Sequence, residues 1–429
     1  MTNALNGKLG SLVSSGGGKI HTGPFGSQLH ASDYVPQGVP CIMPANMKNN
    51  RVDLSNIAFI TEADAKRLSK YIVKENDIVY SRRGDVTQKA LIRKSEEGYF
   101  CGTGCLLLRP GNKFDARFLT YYLSTSKIKS WIVSQAVGAT MPNLNTGILS
   151  SIPFHGPEKP EQVKVADVLS AVEDKIELNN RINTELEAMV KTLYDYWFVQ
   201  FDFPDANGKP YKTSGGKMVY NPILKREIPE GWSESILGNL IKLERGVTYG
   251  KEDTMENANE KAIGILRATN VTGNIVDIED LVYVPASLVS NSQVIRAHET
   301  IIVMSSGSKE HVGKNGIYYF EEPMAFGAFC SKVVPNESCM SFVNTFLQSN
   351  WFRAYIKNQC LGTNINNLTG AHINRCPIVL PTKMLLEKFE EKAGFIYKKI
   401  SVNANENQKL KILHDWLLPM LMNGQVTIK

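Results

Sequence analysis

The sequence predicts an α+β protein. Two similar mixed α/β domains are separated by an antiparallel two-helix coiled coil, and the whole is a pseudo-twofold internal repeat. Three observations predict this. Stretches about 224 positions apart echo one another, two long segments carry apolar seams at alternating steps of three and four, and both seams are interrupted by two asparagines at matching places.

Residues 1–156 read as the first mixed α/β domain. KENDIVYSRRGD and GTGCLLLRPG have the composition of short strands bounded by turn residues. FDARFLTYYLSTSKIKSWIVSQAVG spaces Phe118, Tyr121, Tyr122, Ile128 and Ile132 as one helix would. A polar loop, ATMPNLNTGILSSIPF, follows. The segment 157–203 is the first long helix. Pro157 and Pro160 suit its entry, where a missing amide hydrogen costs nothing. Its seam is Val165, Leu169, Val172, Ile176, Asn179, Asn183, Leu186, Val190, Leu193 and Trp197. Residues 204–231, rich in Gly, Pro, Asn and Lys and without periodicity, read as a linker.

The pattern then returns over 232–381. HETIIVMSSGSK echoes NDIVYSRRGD, Phe342 answers Phe118, Gly362 answers Gly138, Pro377 answers Pro153 and Asn270 answers Asn46. The second long helix, 382–424, repeats the seam with Leu386, Phe389, Ala393, Ile396, Ile400, Asn403, Asn407, Leu410, Leu417 and Leu421. Asn179 and Asn183 thus return as Asn403 and Asn407, a register device in which the asparagines of one helix can meet those of the other. Each helix would run roughly 55–60 Å at 1.5 Å per residue.

The 429 residues are 43% hydrophobic, enough for several packed cores, and the net charge of +6 is compatible with a nucleic-acid partner without requiring one. The seven cysteines lack zinc spacing and read as reduced thiols of a cytoplasmic protein. No leader and no apolar run near eighteen residues is present, so neither export nor a membrane is expected. Catalytic motifs are wanting. Gly313-Lys314-Asn315 lacks the hydroxyl and spacing of a phosphate loop, and Asn221-Pro222-Ile223-Leu224 matches only half of an amino-methyltransferase motif. His298-Glu299 has no second histidine for a metal, and His414-Asp415 falls on the helix seam, which favours packing over catalysis.

A spaced pair of basic heads suits a bipartite partner, and duplex DNA has matching local symmetry. The heads share framework but differ in polar loops, as Ser81-Arg82-Arg83-Gly84-Asp85 against Met304-Ser305-Ser306-Gly307-Ser308 shows.

At this point the chain resembles the specificity subunits of type I restriction–modification systems. The resemblance rests on GPFGSQLHASDYVPQGVPCIMPANM (23–47), typical of the start of a target recognition domain, on LYDYWFVQFDFPDANGKPYKTSGGKMVYNPILKREIPEGW (193–232), and on the repeat itself. The second head departs from the first signature, since GVTYGKEDTMENANEKAIGILRATNV keeps only its outline. The resemblance implies a non-catalytic subunit that binds double-stranded DNA at an asymmetric, interrupted site. It also implies two copies of a modification subunit, carrying S-adenosylmethionine, and a restriction subunit using ATP and Mg. No cofactor or metal is expected in this chain. Alternatives are the specificity partner of a related type II enzyme and an interaction scaffold without a nucleic-acid role.

The candidate DNA contacts are Ser27, Arg82, Arg83, Lys89, Thr140, Asn143 and Asn145 in the first head. In the second they are Arg267, Asn270, Ser305, Ser306, Lys309, Thr363, Asn364 and Asn367. Arginine can bridge guanine or grip phosphate, and asparagine can pair with adenine or simply cap a turn. The aromatic group Tyr194, Tyr196, Trp197, Phe198, Phe201 and Phe203 reads first as packing at the end of the first helix, and second as a dock for a partner.

Overall fold

A computed structural model describes residues 4–136, 142–256, 259, 261–308, 310–360, 368–426 and 428. The chain divides into two units, residues 1–175 with 410–429, and residues 176–409. The helix Lys159–Tyr194 starts in the first unit and ends in the second, and the helix Lys383–Met422 runs from the second back into the first.

In the first unit, one four-stranded sheet has the order Lys19–Thr22, Cys105–Arg109, Ile78–Ser81, Lys89–Leu91, all antiparallel. Ile78, Val79, Tyr80 and Ser81 are all buried, which is why this strand reads as a continuous apolar run rather than an alternation. A second sheet has the order Phe100–Cys101, Val39–Ile42, Ala58–Ile60, Tyr34–Val35. A two-stranded pair, Ala4–Lys8 with Pro153–Pro157, closes the domain where its ends meet.

The second unit repeats this plan. Ile241–Arg245, Cys330–Pro335, Thr300–Val303 and Asn315–Ile317 form the antiparallel sheet, and Ser233–Ile236 pairs with Pro377–Leu380. Its other sheet has the order Val282–Pro285, Ala262–Leu266, Met324–Phe326, Val294–Ile295. The difference in the outer strands is small. The pairing of Val294–Ile295 with Met324–Phe326 is represented in the first unit by a single bridge, Ile72 to Phe100.

The repeat is one residue out of step with the sequence alignment at the loop of greatest interest. Arg82 N donates to Gly104 O at 2.8 Å and Arg82 O accepts from Leu144 N at 2.9 Å. Met304 N donates to Phe329 O at 2.8 Å and Met304 O accepts from Leu368 N at 2.7 Å. Arg82 therefore corresponds to Met304, and Arg83 to Ser305.

Two further expectations are corrected. The single helix expected after Phe114 is two, Ala116–Ser124 and Ser126–Gln135, with Thr125 extended between them. Its counterpart is also broken, into Met340–Gln348 and Asn350–Cys360. The Thr125 hydroxyl donates to Tyr122 O, and the Ser349 hydroxyl accepts from Phe352 N, so local hydroxyls satisfy the amides and carbonyls of the break. The stretch expected as a linker contains a hairpin, Met218–Asn221 with Arg226–Pro229. Phe203 stacks on both Tyr211 and Trp232, and this aromatic packing orders a segment whose composition predicts none.

The aromatic group at the end of the first long helix is core. Tyr194, Trp197, Phe198 and Phe201 are buried, and the Phe198 ring lies 4.9 Å from those of Phe342 and Phe389. Tyr196 is exposed.

Within the second unit the asparagines pair as an antiparallel register requires. Asn179 Nδ2 donates to Asn407 Oδ1 at 2.9 Å and to Glu406 Oε2 at 2.7 Å. Asn403 Nδ2 donates to Asn183 Oδ1 at 2.8 Å, and Asn407 Nδ2 to Asn180 Oδ1 at 2.8 Å. Within the first unit, Leu169, Leu421 and Met422 share one core. His414 sits 3.7 Å from Glu173, whose carboxyl accepts from the Tyr121 hydroxyl and is pushed up chiefly by burial. His414 is thus an interhelical packing residue.

Candidate nucleic-acid interface

In the first head the end of strand Ile78–Ser81 delivers Arg82 and Arg83. Arg82 is half-buried, its guanidinium 5.7 Å from the Phe25 ring and its Nε 3.4 Å from Asn143 Oδ1. Arg83 is exposed, forms a β-bridge with Asn143, and its carbonyl accepts from the Ser81 hydroxyl at 2.8 Å. Phe25 is 52% exposed. Its turn is fixed by Gln28, whose side chain accepts from Phe25 N and from the Tyr71 hydroxyl, leaving Ser27 exposed at the tip. Ser27, Arg82, Arg83 and Asn143 therefore belong to one rim.

Three expected contacts do not fit that role. Lys89 is 2% exposed on its strand, against the Tyr80 ring, and burial pushes its ammonium down to about 7. A side chain enclosed in the core cannot reach a phosphate or a base. Asn270 is buried and fully engaged. Its Oδ1 accepts from Arg267 N at 2.9 Å and its Nδ2 donates to Glu279 O at 2.7 Å. Its counterpart Asn46 does the same with Met43 N and Asp53 O, so both asparagines staple a turn. Asn145 is exposed, but its Oδ1 caps the helix Thr146–Ser151 by accepting from Ile148 N at 2.8 Å. That leaves only its amide hydrogens for another partner. Thr140, Lys309, Thr363, Asn364 and Asn367 lie outside the described residues.

In the second head a cleft of about 540 Å³ opens between three loops, lined by Tyr249, Arg267, Thr269, Ser305, Ser306 and Phe329 among others. Arg267, Ser305 and Ser306 are thus brought together. Tyr249 and Phe329, like Phe25 in the first head, were not among the expected contacts. Their signal was in the sequence. Gly-Pro-Phe-Gly and Gly-Ala-Phe-Cys set an aromatic among turn residues, where no periodic face exists to bury it.

Residues 19–188 match the family described as type I restriction modification DNA specificity domain. The specificity subunit of type I restriction enzyme EcoKI from Escherichia coli (strain K12) is 32% identical over 208 residues, 47% of this chain and 45% of that one. The MjaIX specificity subunit from Methanocaldococcus jannaschii is 25% identical over 402 residues, 92% of this chain and 89% of that one. Over these stretches the chain is similar to the specificity subunits of type I restriction enzymes.

Among these specificity subunits, that of StySPI from Salmonella potsdam is 34% identical over 169 residues. Over the matched stretches the chain spans less than half the length of the EcoKI and StySPI subunits, 45% and 36%. A crystal structure of the S subunit from M. genitalium shares the fold, with a TM-score of 0.56 and 16% identity over 98% of this chain and 96% of that one. Among the described residues no helix is long and apolar enough to cross a membrane, and no group of three or more His, Cys, Asp or Glu could hold a metal ion.

Proposed function

We propose that the chain is the DNA-reading, non-catalytic subunit of a type I restriction–modification complex. It binds an asymmetric, interrupted site in double-stranded DNA, one half-site per head. It positions two modification subunits, which use S-adenosylmethionine to methylate adenine, and a restriction subunit that uses ATP and Mg. Its place of action is the cytoplasm.

The observation that supports this best is one framework built twice with different rims. The staple asparagines Asn46 and Asn270, the strand order and the backbone bonds of Arg82 and Met304 repeat. The rim side chains do not: Arg82 and Arg83 stand where the second head has Met304 and Ser305. A repeated frame with divergent rims suits two half-sites of different sequence. Arginines near the DNA would supply the salt-dependent phosphate attraction, and contacts in the grooves the sequence preference. The residues offered for these contacts are Ser27, Arg82, Arg83 and Asn143 in the first head, and Arg267, Ser305 and Ser306 in the second. The partner subunit, not this chain, would extract and modify the adenine.

The test is co-expression with the cognate modification subunit and genome-wide mapping of methylated adenines. A two-part motif with a fixed gap is expected, and exchange of residues 1–156 for another head should alter one half only. No methylated motif, or an uninterrupted one, refutes the reading.

A further inference from the structure

The rims of the two heads each hold an aromatic ring and a guanidinium, the guanidinium coming from different chain positions. In the first head the aromatic is Phe25 and the guanidinium is that of Arg82. The positions equivalent to these in the second head are Tyr249 and Met304, by the repeat offset and by the shared backbone bonds. The second head has lost the arginine there and supplies Arg267 from the facing loop, where the first head has Met43. It adds Phe329 where the first head has Gly104. Packing explains neither change, because both side chains line an open cleft.

Phe329 is presented rather than packed. Its carbonyl accepts from Met304 N at 2.8 Å and Ser305 N at 3.2 Å, and its neighbour Ala328 donates to Val247 O at 2.9 Å. With the main chain pinned on both sides, the ring is still 68% exposed. A fixed backbone that holds a large apolar ring in water forgoes stability that burial would give.

Arg267 is likewise held without being satisfied. Asn270 fixes its backbone amide, and Asp280 O accepts from its Nη2 at 2.6 Å. Its Nε is buried with no acceptor among the described residues, and it makes no ion pair among them. One of its donors is engaged in placing the guanidinium, and among the described residues the rest of its fork has no partner.

We propose that Arg267 and Phe329 are the specificity-determining pair of the second head. Arg267 donates to the O6 and N7 acceptors of a guanine in the major groove, and Phe329 packs against the apolar edge of the neighbouring base pair. A guanidinium is the side chain best matched to guanine, and a phenyl ring the kind that contacts a thymine methyl. Ser305 and Ser306 lie on the same cleft and bear on a phosphate or a base edge less selectively. This inference rests on the DNA-reading function proposed above.

The test uses the full chain in complex with its modification subunits, with methylated adenines mapped for the wild type, Arg267→Lys, Arg267→Ala, Phe329→Ala and Arg82→Ala. Binding to duplexes carrying single base changes is measured alongside. The first three variants are expected to keep the gap and one half-site and to lose about 10- to 100-fold discrimination at one or two positions of the other half. Arg82→Ala should spare that half. Because Phe329 is exposed, thermal melting of Phe329→Ala should match the wild type, which separates readout from folding. Arg267→Lys keeps the charge and loses the fork. Retained base preference in it, with only the salt dependence of binding altered, would make Arg267 a phosphate contact and overturn the proposal. An unchanged motif in Phe329→Ala, or relaxation of both halves, also overturns it. A wild-type complex with no two-part motif would instead defeat the proposed function itself.

Discussion

The asparagines paired between the long helices can be tested by a double-mutant cycle on the buried Asn179 and the half-buried Asn407. Asn179 is 1% exposed, and its amide donates to the neutral Asn407 oxygen and to the Glu406 carboxylate. A hydrogen bond to a neutral group is worth about 1 kcal/mol net, and one to a charged group about 1.5–3 kcal/mol. Asn179→Ala should therefore destabilise the second unit locally by about 2–4 kcal/mol. Asn407→Ala removes only one of these bonds and a second to Asn180, and should cost about 1–3 kcal/mol. The double variant should cost less than the sum, with a coupling of about 1–2 kcal/mol, as for residues in one network. The pair changed to Leu should recover much of the loss, since an apolar seam removes the unmatched polar atoms, but should free the register. The assay is amide hydrogen exchange over residues 176–194 and 400–409, which reads local opening without assuming that the whole chain unfolds in one step. A coupling below about 0.3 kcal/mol, within the additivity expected of independent sites, would show that the asparagines do not act as a pair.

Other outcomes follow from single groups. Lys89→Met should raise the melting temperature. The ammonium sits at about 7 in the fold against an ordinary 10.5, so the folded state is penalised fully at or below pH 7 and not at all above pH 10.5. That separation corresponds to an upper bound of about 5 kcal/mol, so the gain from Met should be largest near neutrality and fade as pH rises. A gain independent of pH would refute the cause. Asn270→Ala should destabilise its turn by about 1–3 kcal/mol and Asn46→Ala similarly, measured by thermal melting, because each buried amide satisfies one amide hydrogen and one carbonyl. A much smaller loss at both would deny the staple. Burial pushes the thiols of Cys41, Cys330 and Cys376 up to about 12 and that of Cys339 to about 11. Modification by a thiol reagent at pH 8, mapped by peptide mass, should reach these four only as fast as the protein opens. A rapid phase on any of them would contradict their burial.

The fold was legible because its signals are periodic and appear twice. The seams of three and four, the constant offset and the paired asparagines each constrain the others, and the asparagines meet as their spacing requires. The breaks at Thr125 and Ser349 were missed because apolar spacing continues across them, while the signal for a stop lay in one hydroxyl. The hairpin of 218–229 was missed because its order comes from Phe203, Tyr211 and Trp232, whose stacking is tertiary. The site was less legible. Residue type suggests that a lysine or asparagine near a loop faces a partner, yet Lys89 lies inside a strand and Asn270 inside a turn. A strand alternates its faces in steps of one residue, so a small error of register moves a charge from rim to core.

That sensitivity bears on how such a repeat diverges. Gly104 and Phe329 share one backbone position, whose carbonyl receives the amide of Arg82 or Met304 in the same way. Asn46 and Asn270 likewise hold Met43 and Arg267 by the same bond. Each rim side chain thus hangs on a bond made by backbone or by a staple, not by itself. Gly104 is the exception, since its positive φ of 79° would strain any side chain placed there. The guanidinium accordingly stands at different chain positions in the two heads, at Arg82 in the first and Arg267 in the second. Substitutions confined to positions 25 and 82, or to 267 and 329, should therefore change what a head binds with less effect on melting than changes at 46 or 270. A set of rim variants that melts as early as Asn270→Ala would show that frame and rim are not separable.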